Sequence, residues 1–436
     1  MLSQPVAVAD AARIESERQS QHLVTAFIVS GMFFMLLPGT FLGVWNLLDI
    51  SRSHLPSALS QAWLQAHGQA QIFGWIGSFI IGIGFYSLTK MQSSRAFPTR
   101  AGWTVWVLWT LGVFIRWIAG VTSENWRVIL PLSGALELAA FVLFYLFVRR
   151  HRTKSGNKPE TWMRIVSYST IVFLLALIVN CWMLFSQALH GNSPALPHVS
   201  DQQFIVLAVW GVLVPTICGF NARWLPVFAG LKQPNGRLLM VAYVLSLAGI
   251  AATFLRLLPV AGLVFLLSGL LSVDALHVWE PAINPPKLLN VHPSFAWFAR
   301  LTYVWLLVSC VLSLLAVLFD QSGGFWGASR HALTVGFVAG MVFTIGQRVL
   351  PAFCGMRILW SKKLMFWSLL LLFAGCFLRV FSEPLAYENL WAPAWKVLPV
   401  SAVVELLAVS LFALNIGMTL LQPPAHLRLQ SKPTLA

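Results

Sequence analysis

Apolar runs of about 20 residues, each long enough to cross a hydrocarbon core, recur along the whole chain. Twelve are counted, centred near residues 23–48, 63–88, 102–120, 128–148, 164–189, 203–230, 238–257, 259–279, 297–319, 331–350, 364–382 and 398–420. Within lipid every backbone polar group must be satisfied inside the segment, so such runs are expected to be helices. Composition agrees, with 58% hydrophobic and only 10% charged residues, against roughly 25% charged in soluble domains. The expected fold class is all-α, a polytopic membrane protein with one twelve-helix domain over residues 22–420. A polar tail over 1–21 and a second tail over 421–436 flank it, both expected in the cytoplasm. The first twenty residues hold no apolar core, so no cleavable signal peptide is expected.

A net charge of +15 invites a nucleic-acid reading, but the placement of the basic residues argues for orientation instead. With the amino terminus inside, 21 of the 29 Lys and Arg fall in inner segments. Six (Arg52, Arg127, Arg256, Arg330, Arg379 and Lys396) fall outside, and Arg116 and Arg223 stay unassigned. That asymmetry follows the positive-inside rule and predicts an inner-membrane protein that binds no nucleic acid. The five cysteines (Cys181, Cys218, Cys310, Cys354 and Cys376) stand singly, without CxxC spacing, and suggest neither a disulfide framework nor a thiolate cage.

Short marks return in thirds of the chain. Arg223-Trp-Leu-Pro226 through Lys232 matches Arg348-Val-Leu-Pro351 through Arg357. A Phe-[Ile/Leu]-Arg triplet closes the third helix of each group, at Phe114–Arg116, Phe254–Arg256 and Phe377–Arg379. The fourth helix opens with Leu130-Pro131-x-Ser133-x-x-x-Glu137 and Leu398-Pro399-x-Ser401-x-x-x-Glu405, and more weakly with Leu258-Pro259. An internal repeat of this kind dictates architecture. It predicts three pseudo-symmetric groups of four helices.

The repeat also sorts the polar residues. His67 opens the expected second helix and His331 the tenth, both on the outer side, each followed by small residues and a glycine that admit a bulky group. Neutral imidazole is a strong ligand for iron or copper, so the matched pair are the candidate metal ligands. The middle copy offers Gln202 and Gln203 instead, with His190 and His198 expected in the loop before it. Arg116, Arg256 and Arg379 close odd-numbered helices on the same side, where guanidinium forks suit carboxylates such as haem propionates or reach out to lipid headgroups. Glu137 and Glu405 lie some two turns into their helices; Arg116–Glu137 and Arg379–Glu405 pairs are the economical expectation for carboxylates in a membrane, and a proton path is the alternative.

Three groups of four, with histidines on helices two and ten, resemble the catalytic subunit of haem-copper oxidases and nitric-oxide reductases. There, the equivalent histidines hold a low-spin haem, which would map onto His67 and His331. The second centre of those enzymes has no counterpart, because helices six and seven lack histidine and helix ten has only His331. The chain is more similar to the NnrS family of haem- and copper-containing membrane proteins associated with bacterial responses to nitric oxide. The match is best at His331-Ala-Leu-Thr-Val-Gly336, Arg348-Val-Leu-Pro351 and the tract from His67 to Phe73-Gly74. Where family members often carry a second histidine and a glutamate, this chain has Gln69 and Ala70, which bears on copper.

The resemblance implies a haem, b-type, and copper as a second metal, in a bacterial inner-membrane protein handling nitric oxide or another small gas. Turnover, sensing and protection of other metal centres stay open, as does any redox partner. Two other readings compete. A small-solute transporter also has twelve helices, though such carriers divide into halves; Pro38 and Pro215 are the helix breakers it would use. An oxidase-like enzyme or assembly partner without its binuclear centre is the third.

Overall fold

A computed structural model describes residues 4–55, 59–91, 99–151, 159–288, 290–356 and 358–421. The carboxy-terminal tail from residue 422, and parts of the two basic loops expected over 90–100 and 149–164, lie outside the described residues. Among the described residues there is no strand. Twelve helices are long and apolar enough to cross a membrane: α1 (Glu17–Ser53), α2 (Gln61–Ser87), α3 (Thr99–Thr122), α4 (Trp126–Arg150), α5 (Thr161–His190), α6 (His198–Phe228), α7 (Gly236–Phe254), α8 (Leu258–Ala275), α9 (Phe295–Phe319), α10 (Gly324–Phe353), α11 (Lys362–Tyr387) and α12 (Ala394–Leu421). The protein is a multi-pass, all-helical membrane protein. The helix that becomes α1 already runs from Gln4.

Packing repeats with a period of four helices. The pairs α1·α2, α5·α6 and α9·α10 touch, as do α2·α3, α6·α7 and α10·α11, and α3·α4, α7·α8 and α11·α12. The junctions α4·α5 and α8·α9 have their third equivalent in α12 against α1, which closes the ring. The second helix of each group is the innermost. In α2, α6 and α10 the spanning stretch is 61, 67 and 72% buried, against 33–50% in the other nine. These helices shed the lipid-facing apolar requirement, and so they can carry polar side chains.

Each of these inner helices also widens into a π-helical stretch: Ala70–Gly77 in α2, Val209–Leu213 in α6, and Ala332–Ala339 and Val342–Gly346 in α10. Such bulges insert a residue without breaking the helix and concentrate at functional sites. Pro38 does not break α1 as a transporter hinge would; it sits inside a fifth π-helical stretch, Met35–Phe41. Pro215 follows the bulge of α6 directly. The missing N–H of each proline is absorbed in or beside a widened turn.

The first and last groups agree down to single contacts. Gly112 of α3 faces α4 so closely that a methyl there would lie 3.0 Å from Glu137 Cγ and 3.1 Å from the Ser133 carbonyl. At Gly375 of α11 a methyl would lie 2.5 Å from Glu405 Cγ and 3.1 Å from the Ser401 carbonyl. Glycine at these crossings lets a carboxylate-bearing helix close in. In the middle group Ala252 stands four residues before Arg256, where the others have glycine, and Phe265 stands where they have glutamate. The middle group thus lacks a buried carboxylate at this crossing.

Candidate functional site

A cavity of about 530 Å³ lies between the first and last groups, at the end of the bundle where even-numbered helices begin. Its walls come from α1, α2, α10, α11 and α12, with the first turns of α6 and Arg116 of α3 completing it. That volume falls in the roughly 300–1,000 Å³ range of ligand pockets. Four of the five residues expected to form a site line it: His67, His331, Arg116 and Arg379. Arg256 does not. It follows α7 in a left-handed conformation (φ 60°) on the exposed surface, so the third Phe-x-Arg mark contributes no guanidinium to the cavity.

Neither histidine opens its helix. α2 begins at Gln61 and α10 at Gly324, which sinks both rings between one and two turns below the helix start. The His67 ring abuts the bare backbone of Gly43, where a methyl would fall 2.6 Å from Cε1. Its Nδ1 is 2.8 Å from the Gly39 carbonyl, an acceptor in the π-helical stretch of α1. A carbonyl can only accept, so Nδ1 carries the proton and Nε2 keeps its lone pair. His331 is engaged through the other nitrogen: Nε2 lies 2.7 Å from Glu405 Oε1, leaving Nδ1. Each ring thus has one nitrogen fixed by a carbonyl or carboxylate and one left over, the arrangement that orients metal-binding imidazoles. His67 is within electrostatic reach of His331, Glu405 and Arg379.

The expected arginine–glutamate pairs do not form across the helices. Glu405 pairs with His331, and Arg379 Nη2 donates to Glu383 Oε1 at 2.9 Å, one turn along the same helix. Glu137 is fully buried and takes its hydrogen bonds from amides, Gln69 Nε2 at 2.9 Å and Asn180 Nδ2 at 3.3 Å. The reason is rotation about the helix axes. Arg116 turns toward the cavity rather than toward α4, whereas Gln69 and Asn180 converge on Glu137 from α2 and α5. Gly327 on α10 leaves the space that the Glu383 carboxylate fills.

Several buried polar atoms of the cavity wall have no protein partner. They include Arg116 Nη1, Arg379 Nη1, Glu383 Oε2, Gln71 Oε1, and both amide atoms of Asn46, a residue only 3% exposed. Each such group costs about 1–3 kcal/mol when left unmatched. A cavity with this many is shaped for a polar-edged occupant. Two guanidinium groups, a lone-pair imidazole and apolar side chains such as Leu47, Ile72, Phe204 and Val338 in one wall fit a largely apolar ring that carries carboxylates.

Other polar residues of the cavity lie at its α6 side. His198 opens α6 and lines the cavity instead of sitting in the preceding loop, and His190 ends α5. Asp201 and Arg330 also line it, with Arg330 Nη1 donating to Gln202 Oε1 at 2.9 Å to join α10 to α6. Gln203 points elsewhere, toward the carbonyls closing α7. The Arg379–Glu383 spacing is a visible i,i+4 pair, and Asn46 is a polar residue within a span; both signals were present. Among the described residues no three His, Cys, Asp or Glu side chains group closely enough to hold a metal ion by themselves.

Fold and cavity together define a twelve-helix membrane protein with a histidine- and arginine-lined chamber between pseudo-symmetric groups. More particularly, the chain belongs to the NnrS family: the model of the NnrS protein matches residues 25–423, nearly the whole length. No match is found among curated proteins.

Proposed function

We propose that the protein binds a b-type haem in the chamber between its first and last helix groups and serves the bacterial response to nitric oxide from the inner membrane. One observation carries this reading. Two imidazoles, each with a single ring nitrogen engaged, and two guanidinium groups with unmatched N–H donors line one cavity otherwise walled by apolar side chains. His67 would offer Nε2 to the iron, held in that tautomer by the Gly39 carbonyl. His331 has only Nδ1 to offer while Glu405 holds its Nε2. Arg116 and Arg379 would take the propionates through charge-assisted hydrogen bonds. Haem supplies an iron centre that can exchange electrons or bind a diatomic gas. Family membership supports the link to nitric oxide, and the basic inner loops support the orientation.

The absorption spectrum of the purified chain tests it. A Soret band stoichiometric with protein, lost in His67→Ala, is the expected result. A colourless preparation with an intact bundle would transfer the case to a small-solute carrier.

A further inference from the structure

His67 and His331 are not symmetry mates. Gln69 and His331 each stand immediately before an eight-residue π-helical stretch, Ala70–Gly77 in α2 and Ala332–Ala339 in α10. Gly74 and Gly336 follow them at the same interval. Each also bonds the repeated glutamate of its own group. Gln69 Nε2 lies 2.9 Å from Glu137 Oε1, and His331 Nε2 lies 2.7 Å from Glu405 Oε1. His331 is therefore the counterpart of Gln69. The counterpart of His67 is Ser329, a buried residue whose hydroxyl donates to the Trp326 carbonyl of its own helix at 3.3 Å. The sequence had suggested that the two imidazoles match; the packing shifts their register and leaves His67 without a partner ring in the third group.

The two rings consequently differ in what they can coordinate. His67 lies within the bundle yet is partly exposed, so its accessible surface belongs to the chamber it lines. Which ring nitrogen takes a metal is set by the hydrogen bond the other makes. With Nδ1 committed to Gly39, the outward-reaching Nε2 of His67 is the free one. His331 offers the reverse. Its outward nitrogen is held by Glu405, in a place where the first group uses only an amide. Its Nδ1 adjoins the ring carbon that bears the side chain, so a flat macrocycle coordinated there would run into the residue's own Cβ and helix. Freeing Nε2 instead would leave Glu405 without its partner inside the membrane, where carboxylates are usually paired. Among the described residues that line the chamber there is no cysteine or methionine. The Tyr387 hydroxyl is engaged with Arg379, and His198 is exposed at the start of α6.

We infer that the chain holds the haem iron through His67 alone and leaves a coordination position free for a neutral diatomic ligand that draws electron density from the metal. This inference rests on the haem reading. With Arg116 and Arg379 matched by propionates, the wall formed by Leu47, Ile72, Phe204 and Val338 is apolar, and an unpaired anion there would cost more than an uncharged guest. His331 is a positioning residue that keeps Glu405 satisfied beside the chamber.

The experiment uses the full chain purified with its haem in detergent. Haem content, electron paramagnetic resonance of the ferric form and carbon monoxide titration of the reduced form are the readouts. The parent should show a high-spin signal and take up one carbon monoxide per haem. His331→Gln copies the contact that Gln69 makes with Glu137, and it should keep the haem content, spin state and carbon monoxide uptake of the parent. His67→Ala should lose the haem while the helical circular dichroism stays. The spin state of the parent decides the matter even where a variant fails to fold. A low-spin parent, haem lost from His331→Gln, or haem kept by a folded His67→Ala would overturn the inference while haem binding itself stands. A colourless parent with an intact bundle would sink the haem reading and this inference together.

Discussion

Arg116 and Arg379 occupy equivalent places in the first and last groups, yet their surroundings make them unequal. Arg379 already holds Glu383 at 2.9 Å, with Glu383 buried and Arg379 partly so. Replacing it by leucine strands a buried carboxylate, a loss of about 3–5 kcal/mol. Arg116 has no partner on its own helix, since Gly120 stands where α11 has Glu383. Arg116→Leu should therefore lower cofactor retention while the thermal transition of the detergent-solubilised protein stays near that of the parent. Arg379→Leu should lower the transition itself. Equal thermal losses in the two variants would contradict this asymmetry. Gly43 makes a related point. With a methyl 2.6 Å from the His67 ring, Gly43→Ala should displace the imidazole and shift or diminish any Soret absorption, and a parental spectrum would show that the ring does not need the bare backbone.

At the scale of the helix, the carboxylates of α4 and α12 lie against glycines of α3 and α11 in nearly the same geometry. Gly112→Leu and Gly375→Leu should each destabilise the bundle, by about 1–3 kcal/mol or more, because side-chain bulk there forces the helices apart. The same substitution at Ala252 has no carboxylate to displace, and the middle pair should tolerate it better; denaturation midpoints in mixed micelles decide the ranking. The hydrogen bond between His331 and Glu405 separates charge from geometry. Glu405→Gln keeps an oxygen acceptor for Nε2 and Glu405→Leu does not, so the leucine variant should alter the absorption spectrum of the loaded protein more than the glutamine variant. Equal effects of the two variants would mean that charge, not orientation, is what Glu405 contributes. How much of this was readable beforehand differs by interaction. The i,i+4 spacing of Arg379 and Glu383 was legible, whereas His331 and Glu405 stand 74 residues apart and meet only because α10 and α12 turn those faces together.

Across the whole molecule, basic residues and cavity bear on the same axis. If the basic loops face the cytoplasm, the chamber opens toward the opposite side, next to the loop between α5 and α6. Cysteine introduced at the exposed Asn192 of that loop should react with a membrane-impermeant maleimide on intact spheroplasts. Cysteine at the exposed Asn235, beyond the other end of α6, should react only after lysis. Reversal of that pattern would invert the assigned topology. The native cysteines interfere little, as Cys218, Cys310, Cys354 and Cys376 are buried and Cys181 is partly so.

The twelve spans and their grouping in fours were decided by local chemistry. Hydropathy adds up over about 20 residues of one segment, and the repeated Leu-Pro, Phe-x-Arg and Arg-x-Leu-Pro marks need no knowledge of what packs where. The two histidines stood out for the same reason, since any ionisable residue in an apolar run is conspicuous. Which partner each charge takes could not be read this way. That choice depends on the rotation of each helix about its axis and on the bare glycine faces at Gly43, Gly112, Gly327 and Gly375, and such angles are settled only when all the helices pack at once.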